Sequence, residues 1–396
     1  MPPGEPTAKR RRLPAGEPDD LAALPPEIVD NIISRLNIRE VVRTSVLSHA
    51  WRRRWESVRG LNLSFRSSDP AAAISSVLKR STAPVSIFHL YIPGRRFHRA
   101  VRWLRILPTK RVQSLDLDFE SSLDFPDKPN LDPIIFSCLD LTSLCLEGCV
   151  FPPPPPPSFV GFLKLTKLEL SEIELPLHGE KHLEAIIAAS PLLLELSLAC
   201  AQLPRLWFVR GPNIRSLNIS TDDDYVRIGE LPQLEDVTIS ASSVKTEGVF
   251  NGNPPERFPF TFQNLRSLNL LACLDQIPST SFVFAILRCA PNLEKLGIEV
   301  DCDTDEVDDA IVEGFANAET NDDIFPRLRY VRLHGSIGCS SNEMCFIKFV
   351  LSKARSLELF CVLVHSQNAS SYKEALIEMA TYKRASPRAR LRFICR

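Results

Sequence analysis

The side chains best suited to chemistry in this sequence are its cysteines and a few acidic runs. Cys138, Cys145 and Cys149 lie close enough in sequence to offer thiolates to a soft metal ion, and Asp301-Cys302-Asp303-Thr304-Asp305 opens with the alternating oxygen donors of a calcium loop. Neither set is complete. Zinc spacing calls for C-x-x-C pairs or histidines at fixed offsets, and the chain has neither. A calcium loop needs Gly at its sixth position and Glu at its twelfth, where this chain has Glu306 and Val312. The eleven cysteines, an odd number, are read as reduced thiols acting as small hydrophobes. Asp301 to Asp305 and Asp222-Asp223-Asp224 are read as acidic surface insertions. The seven histidines are dispersed, and there is no Gly-rich phosphate loop, Gly-x-Ser-x-Gly or His-Glu-x-x-His. The expectation is a protein without catalytic residues, metal or cofactor.

Charge narrows the partners. Lys plus Arg number 47 against 48 for Asp plus Glu, so no net field draws the chain to a polyanion or an acidic membrane, and neither nucleic acid nor membrane is expected as a partner. A hydrophobic fraction of 44% predicts that most of the chain folds. Residues 1–19 carry no aromatics or periodicity and are expected to form a mobile tail. Lys9-Arg10-Arg11-Arg12 has no apolar run behind it, which excludes a secretory signal; it reads equally as a nuclear import signal or as solvated charge. The expected location is cytoplasm, nucleus or both.

Elements able to position a binding surface begin at Leu24-Pro25-Pro26-Glu27. Proline at a helix start sacrifices nothing, because that N–H has no intrahelical acceptor, and Ile28, Ile32 and Leu36 then stack beside Val29 and Ile33. Asn37 with Glu40 is a capping pair that opens a second helix, whose apolar residues are Val41, Val42, Val46 and Leu47. Ser48 is placed to cap a third helix carrying Trp51 and Trp55 one turn apart. Three helices in under forty residues cannot bury this much apolar surface among themselves, so an apolar patch covered by a partner is expected; the competing reading packs it on the rest of the chain.

The Leu-Pro-x-Glu start, the Arg43-Thr44-Ser45-Val46-Leu47-Ser48 core and the Trp51-Arg52-x-x-Trp55 end together resemble a plant F-box. The resemblance implies binding to a Skp-type adaptor and, through it, to cullin and RING subunits of a ubiquitin ligase. It makes Leu24, Pro25, Ile28, Ile32, Leu36, Val42, Leu47 and Trp51 the candidate adaptor-binding residues, some of which must instead serve the F-box's own core. Asn37-Ile38 stands where the family usually has proline, which is expected to loosen the first turn slightly.

Beyond Trp55 one phrase recurs: apolar, two variable residues, apolar, one variable, apolar. It runs from Val58-Leu61-Leu63 through Val85-Phe88-Leu90, Val112-Leu115-Leu117, Leu141-Leu144-Leu146, Leu165-Leu168-Leu170, Leu193-Leu196-Leu198 and Ile214-Leu217-Ile219. It continues as Leu234-Val237-Ile239, Leu265-Leu268-Leu270, Leu293-Leu296-Ile298, Leu328-Val331-Leu333 and Ala354-Leu357-Leu359. Most steps are 20 to 31 residues, the period of leucine-rich repeats, in which each short strand buries alternate residues only by stacking on the next unit. Segments 184–191 and 282–291 read as convex helices ended by proline. The six prolines at 152–157 fall between two repeat strands and read as an extended rim loop rather than a docking motif. This region is similar to the leucine-rich half of plant F-box proteins, and residues 325–396 resemble the FBD module that ends many of them.

The predicted architecture is α/β: tail 1–19, three-helix F-box 20–60, irregular leucine-rich-repeat solenoid 61–324, and terminal FBD-like repeats 325–396. The concave face, made by residues beside the strand leucines, is the expected target surface. It comprises Asp116, Asp118, Glu147, Lys167, Glu169, Glu195, Asp236, Lys295, Glu299, Tyr330, Arg332, His334, Glu358 and Phe360, with acids outnumbering bases. The implied function is target recognition within an SCF-type (Skp-cullin-F-box) ubiquitin ligase, the target an unidentified protein. The alternatives are a ligand-gated receptor on the same scaffold, or an interaction scaffold outside any ligase.

Overall fold

The computed structural model describes residues 24–47, 51–93, 97–120, 128–200, 209–221, 226–240, 244–246, 260–272, 274, 277–300, 324–334, 341–364 and 369–395. The tail with its basic run, Ser48, and the acidic stretches at 222–224 and 301–305 lie outside the described residues.

Helix α1 (Pro26–Arg35) starts on proline with Pro25 extended as its N-cap, and turns Val29 and Ile33 inward. Helix α2 (Ile38–Thr44) opens on a complete capping box: the Asn37 side chain accepts from the Glu40 N–H at 3.1 Å, and the Asn37 N–H donates to the Glu40 carboxylate at 3.2 Å. That pair closes the turn which the missing proline was expected to loosen. The expected third helix is corrected. Trp51 begins a series of turns that ends in a short 3-10 segment, Arg54–Glu56, and both indoles are buried, 4% and 2% exposed. Arg54 bonds Asp30 of α1 at 2.9 Å, while the Arg80 guanidinium pairs with Glu56 and lies 5.4 Å over the Trp55 ring. These contacts lock the N-terminal helices to the first repeat, and α1 and α2 pack on its strand.

The repeats form one parallel sheet of 13 strands, each paired with the next in sequence, apart from a small side pair. The main strands are β1 (Leu61–Phe65), β2 (Val85–Pro93), β3 (Ser114–Glu120), β4 (Ser143–Glu147), β5 (Lys167–Ser171), β6 (Glu195–Ala199) and β7 (Ser216–Ser220). The side pair β8 (Val226–Ile228) and β10 (Val244–Thr246) brackets β9 (Asp236–Ser240) in sequence. The sheet continues through β11 (Ser267–Ala272), β12 (Lys295–Val300), β13 (Tyr330–His334), β14 (Leu359–Val364) and β15 (Arg390–Cys395). Convex helices are α3 (Ala71–Arg80), α4 (Phe97–Leu104), α5 (Gly179–Ala188), α6 (Ile277–Arg288), α7 (Ser341–Lys353) and α8 (Ala369–Thr381).

Alternation sets the two faces. In β3, Leu115, Leu117 and Phe119 are buried while Ser114, Asp116 and Asp118 are half-exposed, and β4 and β5 repeat the pattern in register. Each strand is started by its predecessor. One carbonyl ahead of a strand accepts two N–H groups from the next repeat, as Thr142 O does from Thr166 and Lys167, and Arg266 O from Glu294 and Lys295. Side-chain amides reinforce this, with Asn213, Asn264 and Asn292 donating to carbonyls of Pro191, Pro232 and Gln263 one repeat back. Gly148 turns the chain after β4 at φ 67°, and a Cβ there would sit 2.1 Å from the Phe119 carbonyl oxygen, so no other residue fits.

Ten of the predicted phrases align with β2 to β7, β9 and β11 to β13; the first and the last are corrected. Leu63 pairs with Phe88 and Phe65 with Leu90, so the inward pair of β1 is Leu63 and Phe65, two residues later than expected. Val331 pairs with Phe360 and Leu333 with Val362, so the final phrase is Leu357-Phe360-Val362, three residues later than expected. Phe360 is therefore core, 0% exposed, and not a target-facing anchor. Strand β15 adds a unit whose opening position is Arg388 rather than an apolar residue, which hid it from the phrase search.

Candidate functional site

Two surfaces stand apart from the core. The first is on the N-terminal helices. With Val29 and Ile33 of α1 and Ile38, Val41 and Thr44 of α2 turned inward, the helices leave Ile28 at 49%, Ile32 at 39%, Val42 at 42%, Leu47 at 51% and Val46 at 84% exposure. Ile28 and Ile32 are one helical turn apart, so they form a stripe. Isolated exposed aliphatics are ordinary; five on two adjoining short elements are not. Of the predicted adaptor residues, Ile28, Ile32, Val42 and Leu47 are on this face, Pro25 is exposed at its edge, and Leu24 and Leu36 are half-buried against the core. Trp51 is corrected: it is buried and unavailable to a partner. Val46, the most exposed of the group, was missing from the adaptor prediction although it lies beside Leu47 in the turn that follows α2.

The second surface is the concave face. Register places Asp116, Cys145 and Glu169 side by side on β3, β4 and β5, and Asp118 beside Glu147 in the next row. His89 and Tyr91 of β2 continue these rows, with His89 3.8 Å from Asp116. Glu147 sits among like charges, and its carboxyl is held above the usual range by partial burial first and by Asp118 next. Asp118 is raised in the same way, by burial and then by Asp116. The Cys145 thiol is pushed up to about 12, chiefly by burial and then by Asp116 and Glu169, which keeps it protonated and unreactive. Lys167 bonds Glu169 at 2.8 Å and is the one base set directly into this acidic group in the register of β3 to β5.

The predicted concave residues do not converge. Glu195 and Asp236 open β6 and β9 as exposed acids, whereas Tyr330, Arg332 and His334 lie on β13, eight strand steps from β3 and so roughly 38 Å along the arc. There, Glu299 and His334 approach to 3.4 Å, and the Tyr330 hydroxyl donates to Glu358 at 3.0 Å. Glu358 itself precedes β14 rather than facing the concave row. Between the late strands is a cleft of about 550 Å³ whose floor is Gly297, with Asn269 on one side and Arg332 on the other. A Cβ at Gly297 would meet the Asn269 carboxamide at 2.2 Å, so glycine keeps the cleft open. Gly297 and Asn269 were not legible as site residues, because a glycine in a strand gives no sign of what lies beside it. The described residues hold no group of three or more His, Cys, Asp or Glu arranged to bind a metal, and no described helix is long and apolar enough to cross a membrane.

The charge cluster has a cost that a mutation should reveal. A carboxyl with a raised folded-state pKa binds its proton more tightly in the folded protein, so its ionised form opposes folding above that pKa and the penalty fades as pH falls through it. Glu147→Gln is therefore expected to raise the melting temperature at pH 7 slightly, with the gain shrinking toward pH 4. Melting curves of both proteins across that range check this, and a gain that grows as pH falls contradicts it.

Comparison with known proteins bears on both surfaces. Residues 21–62 match the F-box domain model, and residues 100–251 match the model described as FBD-associated F-box protein At5g56370, LRR repeats. The F-box/FBD/LRR-repeat protein At1g13570 of Arabidopsis thaliana is 27% identical over 434 aligned residues, covering 95% of this chain and 99% of that protein. The F-box/FBD/LRR-repeat protein At1g51370 is 27% identical across 63% of this chain and 56% of its own length, and the F-box/LRR-repeat protein At3g26922 is 27% identical across 52% and 68%; both are from the same plant. The expected resemblance to plant F-box and leucine-rich-repeat proteins thus holds for both parts of the chain.

Proposed function

We propose that this chain is the target-recognition subunit of an SCF-type ubiquitin ligase, docking a Skp-type adaptor on α1 and α2 and holding a protein target on the concave face. The observation that carries this reading is the exposure of Ile28, Ile32, Val42, Val46 and Leu47 within an F-box match, on two helices and the turn after them, whose other side is already committed to the solenoid. A surface of this kind favours burial against a partner. Cullin and RING subunits would follow through the adaptor. The chain then contributes no reacting group; it raises the local concentration of a target lysine beside the ubiquitin-loaded enzyme.

The early concave strands supply the recognition chemistry in this reading. Carboxylates gathered against their own electrostatics oppose stability, and a fold keeps such an arrangement where it has a use. A basic or mixed segment of the target fits Asp116, Asp118, Glu147, Glu169 and Glu195. Tyr330, Arg332 and His334 would contact a different part of the target.

The test has two arms. Full-length chain mixed with a Skp-type adaptor should form a stoichiometric complex that recruits cullin and RING subunits; absence of that complex removes the ligase reading. Reversing Asp116 and Glu169 together to lysine should lower target retention at least tenfold, measured on proteins trapped while cullin activity is blocked, with adaptor affinity unchanged. Unchanged retention would move the target site elsewhere. One observation favours a small-ligand receptor as a second reading: the late cleft, with Arg332 on its wall. A melting temperature that rises with an added carboxylic acid, and does not in Arg332→Gln, would support it.

A further inference from the structure

Residues 152–157 are six consecutive prolines, and their exposure follows a period of three. Pro152 is buried and Pro155 half-buried, while Pro153, Pro154, Pro156 and Pro157 are exposed. Proline fixes its own φ and forces the residue before it out of the helical region, so residues 152–156 are held in the polyproline II conformation, with three residues per turn and a length of roughly 16 Å, and Pro157 opens the turn that ends the run. The period of three in burial is what such a helix gives when one of its three edges lies on the protein and two face solvent.

Both ends are anchored. The Phe151 N–H donates to the Glu174 carbonyl at 2.9 Å and the Phe159 N–H to the Pro156 carbonyl at 2.8 Å. Phe151 is buried, and the Phe159 ring packs at 5.1 Å on Phe136 and 5.0 Å on Phe162. The segment is thus stiff, trimmed of backbone donors, and offers two uncharged apolar edges, so a partner would order almost nothing by binding it. None of the acidic concave residues belongs to this loop, so its occupancy does not depend on the target site proposed above.

We infer that residues 152–157 are a docking surface for a polyproline-recognising domain, one whose aromatic groove lacks an acidic specificity pocket. The second part follows from charge: residues 150–162 contain no Lys or Arg to enter such a pocket.

Titrating the full-length chain against an isolated profilin-type domain, whose groove is aromatic and uncharged, and an isolated SH3 domain, whose groove carries an acidic pocket, tests this. Binding in the sub-millimolar range is expected for the first and not for the second. Pro153→Ala combined with Pro156→Ala, on an exposed edge, should weaken it at least tenfold, while Pro155→Ala, on the protein-facing edge, should leave it within about twofold. Melting curves of each variant verify that the fold persists. No binding by the profilin-type domain at millimolar concentration, binding by the SH3 domain alone, or equal losses in both variants would overturn the inference.

Discussion

Replacing Ile28 and Ile32 together by aspartate is expected to reduce affinity for a Skp-type adaptor at least a hundredfold while leaving the fold almost untouched. The two side chains are 49% and 39% exposed on one stripe of α1, so neither contributes much to the chain's own core. Covering an aliphatic side chain of this size is worth about 1.5–3 kcal/mol when complete, and a carboxylate put in its place must be stripped of water or keep the surfaces apart. Even half that amount for each residue, with the desolvation penalty added, exceeds the roughly 2.8 kcal/mol that corresponds to a hundredfold loss. The helix-propensity cost of two aspartates is about 1 kcal/mol or less, so the melting temperature should fall by a few degrees at most. Ile33→Asp is the control on the inward side of the helix. Ile33 is 0% exposed, and that variant should fail by unfolding rather than by losing a contact. Titration calorimetry with the full-length chain decides the matter, and retention of wild-type affinity by the double variant would place the adaptor contact elsewhere.

The sequence was most legible where one local rule sufficed. Pro26 and the Asn37–Glu40 pair started α1 and α2 where expected, because capping depends on residues within one turn. The apolar phrase located the strands because alternation and stacking act on every repeat alike. Readings failed where a distant neighbour decides. Trp51 and Trp55 read as one stripe of a third helix, but Arg54 pairing with Asp30 and Arg80 lying over Trp55 fold that segment onto the first repeat, a contact no local pattern contains. In the last predicted phrase, Ala354, Leu357, Leu359 and Phe360 supply overlapping apolar triples, and only pairing with Tyr330 and Val331 selects among them. The candidate surfaces were legible in the same unequal way. Alternation named Asp116, Asp118, Glu147 and Glu169, whereas the sorting of Ile28 from Leu36 or of Leu47 from Trp51 needed the solenoid against which the inner residues pack.

That correction carries the other large effect. Phe360→Ala is expected to cost about 3–5 kcal/mol of stability, the usual range for truncating a fully buried aromatic, whereas the target-facing anchor first suggested by the sequence would have cost little. Its position concentrates the damage. Strand β14 lies between β13 and the edge strand β15, whose inward residues Leu391 and Phe393 are only half-buried, so the last unit has one neighbour to hold it. In a stack where each unit is stabilised mainly by the next, a cavity at β14 weakens both of its junctions at once. Early loss of the C-terminal strands is therefore expected, with the F-box end still folded, and limited proteolysis should cut between β13 and β15 before the repeats nearer α1 give way. Tyr330→Ala supplies the contrast. Its ring is 41% exposed on the concave face and its hydroxyl pairs with exposed Glu358, so the change should stay within about 1 kcal/mol. Urea unfolding of the two variants followed side by side separates the roles: a Phe360 variant as stable as the Tyr330 variant would return Phe360 to the surface and undo the register on which the concave face is drawn.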